Sequence, residues 1–163
     1  MKCGAELSAC LQYRYSLWRE WDDTKKRLCW IMLNPSTADA LKDDATIRVC
    51  MGRAKRMGYG SIDVVNLFAL RATHPEELYR HSDPITHRDA PTRNAEATLE
   101  AIDKAGFIIC AWGQHGAYKE RGRLMLSTIR GSHLKAYALK INLDGSPAHP
   151  LRISYDVQPR EMP

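Results

Sequence analysis

The chain has 163 residues, 44% of them hydrophobic and 26% charged, enough for one domain with a proper core, too few for two comfortable ones, and unlike a disordered polypeptide. Its 24 Lys and Arg against 19 Asp and Glu leave a net charge of +5, which suits a polyanionic partner without demanding one. No apolar run approaches the ~20 residues needed to span a bilayer, and Met1-Lys2-Cys3-Gly4-Ala5-Glu6 lacks the apolar stretch of a secretory signal, so a cytoplasmic protein with no membrane partner is expected.

Residues 11–21 are rich in aromatics, alternate in character and read as a strand, with Asp22-Asp23-Thr24 turning into the next. Leu28 to Leu33 is a continuous apolar run, as in a strand covered on both faces. This opening hairpin would set an antiparallel strand beside the first central strand. Asp43 and Asp44 then precede a helix whose apolar positions are Ile47, Cys50, Met51, Ala54 and Met57, with Gly58 as its stop. Ser61 to Leu67 is β-branched and reads as the second parallel strand. Ala69 to Arg88, with two prolines and three histidines, reads as a long loop with one helical turn near Pro75, and loops of this length tend to be functional.

Asp89 and Pro91 open a helix with apolar positions Ala95, Leu99, Ile102 and Ala105, ended by Gly106. Phe107 to Trp112 is the third parallel strand, residues 117–130 a further helix, and Leu134 to Leu139 the fourth strand. The expected fold is α/β: a three-layer α/β/α sandwich with a mainly parallel four-stranded central sheet plus an N-terminal antiparallel strand. It would form a single domain over 1–163, with a core at about 11–155 and loosely ordered ends.

In such a sheet, ligands bind outside the carboxyl ends of the strands. Asn34-Pro35-Ser36, Asn66-Leu67-Phe68, Trp112-Gly113-Gln114-His115 and His149-Pro150 all fall there, so side chains far apart in sequence would meet at one edge. Proline holds Asn34 extended and its amide in a fixed direction, although the motif can equally close an Asx turn. Asn66 is polar where the β-branched run calls for an apolar side chain; it either pairs with a base edge or is satisfied by loop backbone. Asp43 or Asp44 is most simply a helix N-cap worth about 1 kcal/mol. Asp39 has no such duty and is the candidate general base.

His149 can donate a hydrogen bond to an anionic leaving group or simply lie at the surface. Pro35, Ser36, Phe68, Trp112 and Leu151 complete the expected substrate-binding set. Arg48, Arg71 and Arg88 are the candidates for phosphate contact, the alternative being solvated charges. Five cysteines without a CxxC pair give neither a disulfide framework nor a zinc site, and the histidines lack metal-ligand spacing; no metal or other cofactor is expected.

The blocks WIMLNPSTAD, DDATIRVC, GYGSIDVVNLFALRATHPEEL, IICAWGQHG and GSPAHPL, in this order from about Arg14 to Leu151, resemble the bacterial and phage family known as domain of unknown function 1643. More distantly, the motif order is similar to that of the uracil-DNA glycosylase superfamily. That resemblance implies Asn34 for the Asn of a Gly-hydrophobic-Asn-Pro block, Asn66 for a base-reading Asn, His149-Pro150 for a His-Pro-Ser block, and Leu151 near the wedging residue. The chain departs from the pattern at Met32-Leu33, where the glycine would stand, and at Leu151, where the serine would stand. It also lacks a clear counterpart of the stacking phenylalanine. These departures weaken the case for excision of uracil itself and leave a modified base, a free nucleotide or a pocket without catalysis.

The resulting expectation is a glycosylase-like protein hydrolysing an N-glycosidic bond in DNA or a nucleotide. Asn34 with Asp39 would position water, Asn66 would read the base and His149 would stabilise the departing charge. A non-catalytic nucleotide- or nucleic-acid-binding protein on the same fold is the alternative.

Overall fold

The computed structural model describes residues 1–163. It is a mixed α/β structure with one seven-stranded sheet, made of β1 (Lys2–Leu7), β2 (Arg14–Glu20), β3 (Arg27–Met32), β4 (Ser61–Asn66), β5 (Phe107–Ala111), β6 (Ala136–Ala138) and β7 (Arg160–Glu161). The helices are α1 (Ala45–Arg56), α2 (Glu76–Arg80), α3 (Arg93–Lys104) and α4 (Arg121–Arg130). A 3-10 segment, Gln114–Glu120, leads into α4 across a break at Tyr118 and Lys119, so the helix expected over 117–130 is shorter.

The spatial strand order is β1-β2-β4-β3-β5-β6-β7. The four central strands run parallel, β3 pairing with both β4 and β5, and β5 with β6. From β3 the chain passes through α1 to β4 on one side, then returns through α3 to β5 on the other. The winding therefore reverses at β3, and a crevice at the carboxyl ends is the geometric result.

Three features depart from the sequence expectation. Both edges of β3 are taken by parallel partners, so the antiparallel strand β2 pairs with β4 instead, from Leu17 opposite Val64 to Glu20 opposite Ser61. The chain ends, expected to be loose, form β1 on β2 and β7 on β6, giving seven strands where five were expected. Helix α3 buries Asn94, Ala97, Thr98, Ala101 and Ile102 and leaves Leu99 55% exposed. Two polar residues can occupy its buried face because each finds a partner: Thr98 Oγ1 donates to the Asn94 carbonyl at 2.9 Å, and Asn94 Nδ2 to the Asn66 carbonyl at 3.2 Å.

Two apolar clusters hold the elements together. One joins Trp30, Ile62, Val64 and Ile109 of the sheet to Ile47, Cys50 and Ala54 of α1. The other joins Ile31, Val65, Ile108 and Cys110 to Ala97, Ala101 and Ile102 of α3 and to Met125 and Ile129 of α4. Each fully buried Ile or Leu here contributes roughly 1.5–3 kcal/mol of transfer free energy. No helix is long and apolar enough to cross a membrane.

Candidate functional site

Strands β4, β3 and β5 end flush, with Met32 paired to Asn66 on one side and to Ala111 on the other. Beyond the strands the loops stay joined: Leu67 N–H donates to the Met32 carbonyl, Phe68 N–H to that of Leu33 and Ala72 N–H to that of Pro35, each at 2.9 Å. The His149 loop is fastened to the end of β5 by Gly113 N–H donating to the Pro147 carbonyl at 2.8 Å. The loops after β3, β4 and β5 and the His149 loop thus surround a cleft of about 530 Å³ whose walls include Arg14, Asn34, Asp44, Asn66, Trp112 and His149.

Asn34 Nδ2 donates to the Pro35 carbonyl at 3.0 Å and to the Ala72 carbonyl at 2.8 Å. Both of its N–H bonds face carbonyl oxygens, which fixes the amide orientation and leaves Oδ1 as the atom it can offer, an acceptor. Asn66 is 1% exposed, and its Nδ2 has no hydrogen-bond partner. A buried amide donor without a partner is costly, on the order of 1–3 kcal/mol, and the residue that carries it is part of the cleft wall.

His149 lines the cleft, and its Nδ1 accepts from Leu151 N–H at 3.3 Å. That bond places the proton of the neutral ring on Nε2. The surrounding walls desolvate the imidazole and hold its pKa below the ordinary histidine value, with the Asp44 charge opposing. A neutral ring with Nε2–H as donor is the consequence.

Asp44 caps α1, its Oδ1 accepting Ile47 N–H at 2.9 Å, and also lines the cleft. Arg14 is 3% exposed; its Nη1 donates to the Ala38 carbonyl at 2.9 Å, while its Nε is buried without a partner. Burial lowers its pKa to about 10, with the Asp44 charge acting in the opposite sense. The Trp112 ring packs against Gly116 and Gly122, where an added Cβ would overlap it.

Of the residues singled out from sequence, Asn34, Ser36, Asn66, Trp112, His149 and Leu151 line this cleft. Asp39 does not: its Oδ1 closes a turn by accepting Leu41 N–H at 2.9 Å and Lys42 N–H at 2.8 Å. Those same bonds lower its pKa and make it a weaker proton acceptor. Asp44, read from sequence most simply as a cap, is the carboxylate that reaches the site. Pro35 is buried, its carbonyl tying Asn34 and Ala72 together. Phe68 is fully buried and stacks on Tyr118, with ring centroids 5.7 Å apart.

The three arginines proposed for phosphate lie outside the cleft. Arg48 donates to the Asp43 carbonyl at 2.8 Å on the exposed side of α1, and Arg88 pairs with Asp83 at 3.4 Å. Arg71 lines a neighbouring, more open groove that shares Ser36, Ala72 and Thr73 with the cleft, and is pinned there by the Ser36 and Leu11 carbonyls at 3.3 and 3.1 Å. Sequence reasoning placed Gln114 and His115 at the strand ends without giving them a role, and missed Arg14 and Asn142 in the cleft wall. A cation inside the aromatic segment at 13–18 was the available signal for Arg14.

Residues 14–151 match the family described as protein of unknown function (DUF1643). No curated protein and no solved structure matches the chain.

Proposed function

The chain belongs to the DUF1643 family, and we propose that it is a glycosylase-like protein, hydrolysing the N-glycosidic bond of a base in DNA or in a nucleotide. The observation that carries this reading is the meeting of Asn34, Asn66 and His149 on one cleft at the flush ends of parallel strands. Further support comes from the two apolar clusters, one with α1 and one with α3 and α4, as an α/β/α sandwich of the uracil-DNA glycosylase kind would have.

In the proposed reaction the base enters the cleft and places a polar edge on the Asn66 amide, with the Trp112 ring as a wall. A water held by Asn34 Oδ1 attacks the anomeric carbon and loses its proton to Asp44 as the carbon–oxygen bond forms. The carbon–nitrogen bond breaks and its electron pair leaves with the base. His149 donates Nε2–H toward the negative charge that develops, and the proton taken by Asp44 is returned to the departing base through water. A neutral imidazole suits that task, because it stabilises the leaving group without requiring protonation in advance.

The test is incubation of the purified protein with single- and double-stranded oligonucleotides carrying uracil, mismatched thymine, deaminated or hypermodified bases, and with the matching nucleotides. Abasic sites are read by alkaline cleavage and free base by chromatography. Turnover abolished by Asn34→Ala and His149→Ala, with affinity largely kept, is the expected result. Absence of base release from every substrate overturns the hydrolytic step, and retained binding in that case identifies a non-catalytic module.

A further inference from the structure

We infer that Arg14 is a specificity residue of the cleft, and that the ligand presents to it and to Asn66 a neutral acceptor edge, a ring carbonyl rather than an exocyclic amino group. The inference rests on the nucleobase reading above and deepens it. Two polar side chains of the cleft wall have buried atoms without partners, Arg14 Nε and Asn66 Nδ2, and both are N–H donors. A ligand edge carrying acceptors satisfies them; an amino group turned the same way leaves every donor unpaired and adds another.

The charge balance selects among acceptors. Arg14 is a buried cation, but Asp44 lines the same cleft, and its charge acts on both Arg14 and His149. A phosphate brought to this wall would gain Arg14 and be repelled by Asp44. A neutral carbonyl meets no such opposition. The position of Arg14 is also fixed before binding, by Nη1 donating to the Ala38 carbonyl at 2.9 Å and by its own N–H donating to the Ala69 carbonyl at 2.9 Å. A preorganised donor loses little freedom on binding, the condition under which one hydrogen bond discriminates well.

The guanidinium signal can be read directly. In the protein labelled with nitrogen-15, the Arg14 Nε–H resonance is assigned by its loss in Arg14→Lys and followed during titration with guanosine, inosine, uridine and thymidine, with adenosine and cytidine, and with inorganic phosphate. The nucleosides with a carbonyl at purine C6 or pyrimidine C4 should bind and move the Arg14 resonance, while adenosine and cytidine, which carry an amino group at that position, bind about tenfold or more weakly and leave it in place. Arg14→Lys, which keeps the charge and removes Nε–H, should erase that preference.

Where Arg14→Lys does not fold, the signal is assigned by through-bond correlation in the wild-type protein, and the titration alone decides. Equal binding of both classes with an unmoved resonance overturns the role of Arg14 and leaves the nucleobase reading intact. A shift with phosphate and none with any nucleoside overturns the neutral acceptor. Binding of no nucleoside at all removes the nucleobase reading and this inference with it.

Discussion

Asn94 on α3 donates its side-chain N–H to the main-chain carbonyl of Asn66 at 3.2 Å and reaches that of Leu67 at 3.4 Å. The end of β4 is therefore held by a helix, while the Asn66 side chain stands in the cleft wall. Asn94→Ala removes both bonds and should destabilise the protein by about 1–3 kcal/mol, since the carbonyls it serves are buried. The Leu67 carbonyl keeps Arg121 as a donor at 3.2 Å, so the loss falls mainly on the Asn66 carbonyl. A urea unfolding midpoint measured beside the wild type checks this; an unchanged midpoint would mean that the Asn94 bonds do not hold the end of β4.

Asn66→Leu should behave in the opposite way. It replaces a buried donor without a partner by an apolar group of similar size, so thermal stability should hold or rise by about 1 kcal/mol. Base binding should be lost. A drop of several kcal/mol in the same melt would show that the amide is structurally engaged.

The Trp112 wall depends on small neighbours. At Gly116 a Cβ would overlap the indole ring, and at Gly122 it would stand 2.8 Å from its Nε1. Gly116→Ala should displace the ring, weakening ligand binding with an overpacking cost of about 1–3 kcal/mol. Tryptophan fluorescence and binding titration report the two effects separately.

For His149 the sign follows from its lowered pKa. The folded protein holds the proton less tightly than the unfolded chain, so below the unfolded value of about 6.5 the unfolded state binds more protons. Stability contributed by this residue is present above that pH and is lost as the solution is acidified through the folded value. His149→Gln should flatten that part of the wild-type stability profile between pH 8 and pH 5, measured by denaturant titration. A parallel pair of profiles would show that His149 carries none of the slope.

Cysteine reactivity should divide by exposure. Cys3 and Cys10 are exposed, whereas Cys29, Cys50 and Cys110 are buried, with desolvation raising their pKa values. Cys10 should alkylate fastest, because the Ser8 hydroxyl and the Gln12 backbone lower its pKa. Peptide mapping after brief iodoacetamide treatment reads the order; early modification of Cys29, Cys50 or Cys110 would contradict the packed core.

Periodicity made the central sheet and α1 legible, because continuous β-branched runs and a cap followed by a 3.6-residue stripe each report a local geometry. The cleft was legible as far as it follows from strand ends: Asn34, Asn66 and Trp112 stand where a parallel strand stops. Asp39 and Asp44 could not be ranked from sequence, since which carboxylate closes a turn depends on a loop held by Arg19, which donates to the Asp39 carbonyl at 2.7 Å and to Asp43 at 2.8 Å. Arg14 was hidden for a related reason. Its burial depends on tertiary acceptors that no local pattern announces. The face of α3 was misread at Ala95 and Leu99, which are exposed, because the buried stripe also carries Asn94 and Thr98, whose donors find main-chain carbonyls, and a hydrophobic pattern cannot register that.

The outermost ribbons β1 and β7 fall outside the stretch shared with the family, residues 14–151. The shared part of the sheet is thus a five-stranded slab with two bare margins, at β2 and β6, and this chain covers both with its own extremities. Trimming them would expose unpaired backbone on both sides and invite chain-to-chain stacking, far from the cleft.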